Sequence, residues 1–305
     1  MREKNSVLLT KMENNTFVYH YTSVESLFAI LEGYRIKREF GVIPFRASNI
    51  YKTNDPREMT LGFDAVKRIL PQFEENVKYN VGLSDVFQNM AFEKRCIESM
   101  GQKPTRDTIM GGTIPYTISF SCKEDFLPMW SMYGNGGKGV CLKFGLYELI
   151  NIQKSQSETP QFGFVSYNEE DFESLTLLKE NLAELYDFFS IRKKPMSIDD
   201  KIEELSLLCV CLSPFIKCRD WSYEEEFRVV LNKHYQMEMD DDVICGLKMK
   251  EIESYVFFQM NPNALKEIIL GPKANYDVIE HIVRNELKEC CFKDILIKPS
   301  NIEVR

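Results

Sequence analysis

The stretch "DWSYEEEFRVVL", Asp220 to Leu231, constrains the fold more than any other part of the chain. If "EFRVVL" is a strand, alternation sends Glu224, Glu226 and Arg228 to one face and Phe227, Val229 and Leu231 to the other. The chain must therefore build a sheet with an apolar core on one side and a place for crowded carboxylates on the other. A solvated face with an arginine–glutamate pair satisfies that demand. So does a reactive site, because a carboxylate fixed at a strand start, beside an arginine and under Trp221 or Tyr223, suits a reaction that develops positive charge on a sugar.

The remaining elements set the fold class. "FVYHY" (17–21) reads as a strand, followed by a helix that Thr22 or Ser23 caps and Gly33 ends. "RIK", "IPFRASN", "IPYTISFS" (114–121), "KGVCLKF" (138–144), "FGFVSY" (162–167), "SYVFFQM" (254–260), "EIILG" (267–271) and "ILIK" read as further strands. "EDFLPMWSMYG" and "YDVIEHIVRNELKE" read as helices, and long helical insertions fall at about 58–101 and 170–218, the second broken near "KKPMS". Strands in mixed order, without regular βα alternation, predict α+β: a mixed, mostly antiparallel split sheet in one domain over 1–305.

Composition narrows the function. The 38 basic and 46 acidic residues give a net charge of −8, which argues against a nonspecific grip on nucleic acid driven by phosphates. The sequence has no apolar run of 18 residues and no signal-peptide core at "MREKNSVLLTKMENN", so no membrane association and a cytoplasmic location are expected. Nine cysteines without a CxxC pair, beside three histidines, disfavour a zinc site and fit reduced, buried thiols. Neither G-x-G-x-x-G nor G-x-x-x-x-G-K-[ST] occurs.

Four further groups of residues invite chemistry. In "YHYTS", His20 and Thr22 share one strand face and Tyr19 and Tyr21 the other; polar groups beside a helix start can hold a ribose or phosphate, or simply satisfy the fold. Ser119 and Ser121 share a strand face. Trp130 and Tyr133, three apart on a helix, either stack on a flat ring or fill a core. In "IILGPKAN" a glycine turn and an Asn275 cap could place N–H groups near an anion.

Taken in order, "YHYTS", "NDPRE", "SFS…MWSMYG…GKGVCLKF", "WSYEEEFR" and "IILGP" resemble a bacterial family known as domain of unknown function 2971, whose members look like defence or abortive-infection components. More distantly, the pattern is similar to the His-Tyr-Glu class of ADP-ribosyltransferases. That resemblance implies an enzyme consuming NAD as substrate, a toxin-like effector of phage defence, with an unknown protein or nucleic-acid acceptor. It implies Glu226 as the catalytic carboxylate, Glu224 as the acceptor-activating glutamate and Tyr133 or Tyr116 as the tyrosine. His20, Tyr21, Thr22, Ser119, Ser121, Trp130 and Arg228 would line the NAD site. An NAD hydrolase and a non-catalytic nucleotide- or protein-binding module are the alternatives.

Overall fold

The computed structural model describes residues 16–55, 57–78, 80–88, 113–151, 160–167, 180, 182–187, 191, 197–234, 253–292 and 295–304. Parts of the two expected insertions, at 79, 89–101, 170–179, 181, 188–190 and 192–196, lie outside the described residues.

The strands are β1 (Phe17–Thr22), β2 (Ile43–Asn49), β3 (Thr113–Ser121), β4 (Val140–Gly145), β5 (Gln161–Phe164), β6 (Glu226–His234), β7 (Tyr255–Met260), β8 (Leu265–Leu270) and β9 (Leu296–Pro299). They form one open sheet, ordered β5-β6-β3-β1-β4-β8-β9, with β2 on β3 and β7 on β2. The described ladders are antiparallel except for β8 with β9. β3 is central: β6 follows one of its edges from Thr113 to Ser121, while its other edge is shared. β1 takes it at Ser121 and β2 takes it at Tyr116 and Thr117, so the two strands part between. The mixed class and the mostly antiparallel sheet agree with the sequence reading.

Register fixes what each face carries, because directly paired residues point the same way. Val18, Phe120, Leu142, Phe144, Phe227, Val229 and Ile268 form the main core, closed by Leu27 and Leu31 of α1 (Val24–Ile36) and by Val283 and Leu287 of α6 (Tyr276–Glu289). The opposite face has two covers. Met129 and Trp130 of α3 (Leu127–Met132) pack on Tyr19, Tyr21, Cys141 and Ile269. A second apolar cluster joins Met59, Phe63, Val66 and Leu70 of α2 (Glu58–Glu74) to Leu205, Cys209 and Leu212 of α5 (Ile198–Leu212). A short helix, α4 (Leu146–Ile150), follows β4. Among the described residues no helix is long and apolar enough to cross a membrane.

Local signals explain the helix starts. Ser23, one of the two expected caps, accepts the N–H of Ser26 at 3.1 Å, and Asn275 accepts that of Val278. Ser197 and Asp200 form a reciprocal capping box on α5. Two expectations need correction. Gly33 does not end α1, which runs on through "RI" to Ile36, so the expected strand at "RIK" is absent. Gly33 stays because a Cβ there would meet Pro44 Cγ at 2.9 Å.

The glycine that matters most for the site is Gly62 in α2. A Cβ at this position would lie 2.4 Å from the backbone Cα of Ser213, so α2 can reach the 213–215 turn only without a side chain. That close approach brings Glu58, at the start of α2, and the carbonyl of Pro214 to the same arginine. Gly62→Ala should therefore destabilise the protein by about 1–3 kcal/mol, as overpacking does. The loss is read as a lowered midpoint in urea unfolding, and an unchanged midpoint would contradict this packing.

Candidate functional site

The three consecutive glutamates are separated by the backbone. A 3-10 turn, Arg219–Glu224, ends at Glu225 in the left-handed region (φ 42), an uncommon conformation for a residue with a Cβ. Glu225 consequently leaves the sheet for solvent, where it pairs with Lys123 at 2.7 Å. Ser121 and Cys122 hold the turn: Ser121 Oγ donates to Glu224 O at 2.6 Å and Cys122 N to Glu225 O at 2.9 Å. Glu224 and Glu226 are left pointing together into the protein, 1% and 4% exposed.

They enter a chain of alternating charges. Lys217 Nζ donates to Glu224 Oε2 at 2.6 Å and to Glu226 Oε1 at 2.5 Å, with Glu58 Oε1 at 3.7 Å. Arg228 Nε donates to Glu226 Oε2 at 2.5 Å, Nη2 to Glu58 Oε1 and Nη1 to Pro214 O, both at 2.7 Å. Tyr133 Oη donates to Glu224 Oε1 at 2.6 Å, and the Glu226 N–H donates to Tyr167 Oη at 2.9 Å. The network thus ties the Tyr133 end of α3 to the Glu58 end of α2 and joins the two covers of that face. Around its Glu224 end lie half-buried Tyr133, Tyr167, Trp221 and Tyr223, with Trp221 presenting its ring 4.7 Å from Lys217 Nζ. Exposed Asn54, bonded to Tyr133, forms the rim.

Three carboxylates against two cations leave one surplus negative charge if all are ionised. A proton removes it most easily from the carboxyl with the weaker cation contacts. Burial, followed by the hydrogen bond and charge of Glu226, pushes Glu224 up to about 7. Burial also works to raise Glu226, but Arg228, then Glu224's hydrogen bond and Lys217, hold it well below the usual carboxylate range. The pair is one coupled system, with the proton on the Glu224 side. Burial and then Glu224 push the Tyr133 hydroxyl up, so it stays a donor.

Of the residues expected to form an NAD site, Tyr133, Glu224, Glu226 and Arg228 join through their side chains, with Ser119 and Ser121 beside them on β3; His20, Tyr21, Thr22 and Trp130 do not join them. Arg228 is corrected from a cofactor ligand to an internal tie, since Glu226, Glu58 and Pro214 take its donors and it is 1% exposed. His20 is on the opposite face from Glu226: Tyr19, its neighbour, pairs with Ser121, which pairs with Glu226. Its ring meets Phe45 and Phe120 edge-on at 4.9 and 5.8 Å, and its Nδ1 bonds to Ser119 O at 3.0 Å where β1 and β2 part. Desolvation there lowers its pKa, and the bond to a carbonyl makes Nδ1 the protonated nitrogen. A cleft shared by His20 and Glu226 is therefore not formed, and Thr22 follows His20 to that side.

Trp130 is a core residue, 0% exposed, with its indole N–H on Asp125 at 2.8 Å and its ring against Tyr21. Tyr21 braces the 123–126 loop by donating to Lys123 O and accepting from Phe126 N. Ser121 serves the turn, and Ser119, exposed on β3, pairs in register with Arg228. Tyr116, the other candidate tyrosine, is buried with its hydroxyl on Glu253 O. Sequence reasoning missed Glu58, Lys217, Tyr167 and Asn54 as site residues. Asn54 and Glu58 stand in the quoted "NDPRE"; Lys217, in "FIKCRD", gave no signal.

Residues 129–229 match the family model described as Protein of unknown function (DUF2971). The match supports that family. It takes in Tyr133, Lys217, Glu224, Glu226 and Arg228, and it leaves out Glu58 and His20. No curated protein and no solved structure matches the chain.

Within the matched segment the two inward glutamates carry opposite consequences. Glu226→Gln leaves Arg228 and Lys217 undercompensated in the interior and should cost about 3–5 kcal/mol. Glu224→Gln mimics the protonated acid. Because Glu224's folded pKa lies above its ordinary 4.5, its contribution to stability is complete below 4.5 and lost as pH rises through about 7. Glu226, depressed, contributes fully above 4.5 and loses its share on acidification. Urea unfolding at pH 5 and pH 8 should thus show wild type losing about 1–3 kcal/mol across that interval and Glu224→Gln losing little.

Proposed function

We propose that this chain is an NAD-consuming enzyme of the ADP-ribosyltransferase kind whose reactive end is Tyr133 and Glu224, with Glu226 as the fixed anion behind them. The observation that carries the reading is the geometry of one carboxyl, Glu224, gripped by Tyr133 and Lys217 at the half-buried, aromatic end of an otherwise sealed network. Two neighbouring carboxyls pushed to opposite protonation states are a recurrent arrangement for acid–base work on glycosidic bonds. His20 has no part in this version.

The chemistry balances without a further reagent. When the ribose C1′–N bond of NAD breaks, the electron pair leaves on nicotinamide, which departs neutral, and positive charge develops on the ribose. Ionised Glu224 stabilises that charge and then takes the proton from the acceptor's O–H or N–H as the new bond to C1′ forms. Trp221, Tyr223 and Tyr133 offer flat apolar surface for the leaving ring. The toxin-like role in phage defence is a proposal of the same kind: the active protein would arrest growth of its host, and Glu224→Gln would relieve the arrest.

A non-catalytic nucleotide- or protein-binding module is the second reading. It is favoured by one observation: both oxygens of Glu226 and both of Glu224 already have partners. Nicotinamide release from NAD, followed with label transfer to lysate components, separates the readings. The enzyme reading expects release that rises with pH to half its maximum near 7, and a loss of about 100–1000-fold in Glu224→Gln. Release without transfer would mean hydrolysis, with water as acceptor. Glu224→Gln releasing nicotinamide at the wild-type rate, or a wild type that releases none, returns the network to a structural lock.

A further inference from the structure

The outer face of β2 and β7 combines exposed rings with cations. Register pairs Arg46 with Phe257 and Ser48 with Tyr255, so these four side chains share one face of the ladder. Phe45 and Phe258, on the other face, are buried, as the core requires. Tyr255 and Phe257 are 40% and 49% exposed, two large rings 5.5 Å apart on a strand that pairs, among the described residues, only with β2. Ordinary sheet patterning places polar groups on such a face.

Cations surround these rings. The Arg46 guanidinium lies over Tyr255 at 4.6 Å and Lys37 Nζ over Phe257 at 5.8 Å. Lys52, exposed, donates to Ser254 at the start of the same strand. Among the described residues none of the three has a carboxylate within ion-pair distance, although the chain carries a net charge of −8. By contrast, the nearby Lys233 is paired, with Glu253. Among the described residues, positive charge without a carboxylate partner beside exposed rings is therefore a local property, set against the charge of the whole.

We propose that this face binds single-stranded nucleic acid, with bases stacking on Phe257 and Tyr255 and phosphates resting on Lys37, Arg46 and Lys52. Stacking needs a flat ring and tolerates any base, and the backbone needs cations spaced along the same track. A protein partner matched to the rings alone would leave three cations to be desolvated without compensation, whereas a polyanion uses both features at once. The proposal does not rest on the NAD reaction, because binding is read without NAD. Pairings of Ser48 with Thr117 and of Ser119 with Arg228 place this face on the side of the sheet that carries the Glu224 network.

The test is fluorescence anisotropy of labelled 15-nucleotide single strands, DNA and RNA, against the full chain, with a duplex of the same sequence as control. In 50 mM salt a Kd of about 1–100 μM is expected. Three phosphate contacts at about 0.7 each predict a log–log salt slope near −2. Tyr255→Ala/Phe257→Ala should weaken binding about tenfold or more, and Arg46→Glu/Lys37→Glu should weaken it further, both with unchanged thermal midpoints because the side chains are exposed. The duplex, whose bases are already stacked, should bind more weakly. Absence of binding at 100 μM protein, equal binding of the duplex, or an unchanged affinity in the aromatic double variant would overturn the proposal. So would a concentration-dependent dimer abolished by that variant, which would make a second copy the occupant.

Discussion

Arg228 is a guanidinium inside a sheet, and the rest of the structure is arranged around its burial. A desolvated cation costs several kcal/mol unless every donor finds an acceptor and its charge is matched. Glu226 arrives on the same strand, Glu58 from the start of α2 and the Pro214 carbonyl from the turn before Lys217. Each requirement shapes something distant: Gly62 lets α2 approach that turn, and left-handed Glu225 lets two glutamates face inward while a third leaves. Lys217 then closes the circuit between the two inward glutamates.

The functional consequence lies in the charge that does not cancel. With Glu226 committed to Arg228 and Lys217, surplus negative charge collects at Glu224, the member next to half-buried aromatic side chains. A fully sealed network would only stabilise the fold, and a buried ion pair is weak evidence even of that. An unbalanced network ending beside half-buried aromatic side chains stores a proton at that end. On the proposed reading, that stored proton is what distinguishes an enzyme from a structural lock.

The sequence disclosed the sheet better than the site. Alternation in "EFRVVL" and "IPYTISFS" specified which residues face the core, and the strands formed nearly where expected. Caps at Ser23 and Asn275 were legible because one side chain and one N–H decide them. Gly33 misled, since its reason is the ring of Pro44 rather than a helix end. His20 and Glu226 shared no visible constraint in sequence; only register across β1, β3 and β6 places them on opposite faces. Trp130 and Tyr133 sit three apart, yet Trp130 meets Asp125 in a core and Tyr133 meets Glu224. Glu58 and Lys217 reach the network from 170 and 9 positions away, and no local pattern announces such partners.

The central claim, a proton held on Glu224 by an ionised, buried Glu226, can be read directly from the carboxyl carbons. Selective ¹³C labelling of glutamate and a pH titration by NMR, with Glu224→Gln to assign the resonance, follow Glu224 in the folded protein. Its carboxyl carbon should inflect near pH 7, while that of Glu226 should keep its ionised shift down to the onset of acid unfolding. A Glu224 inflection near the ordinary 4.5, or a Glu226 carboxyl that protonates while the protein is still folded, would contradict the account.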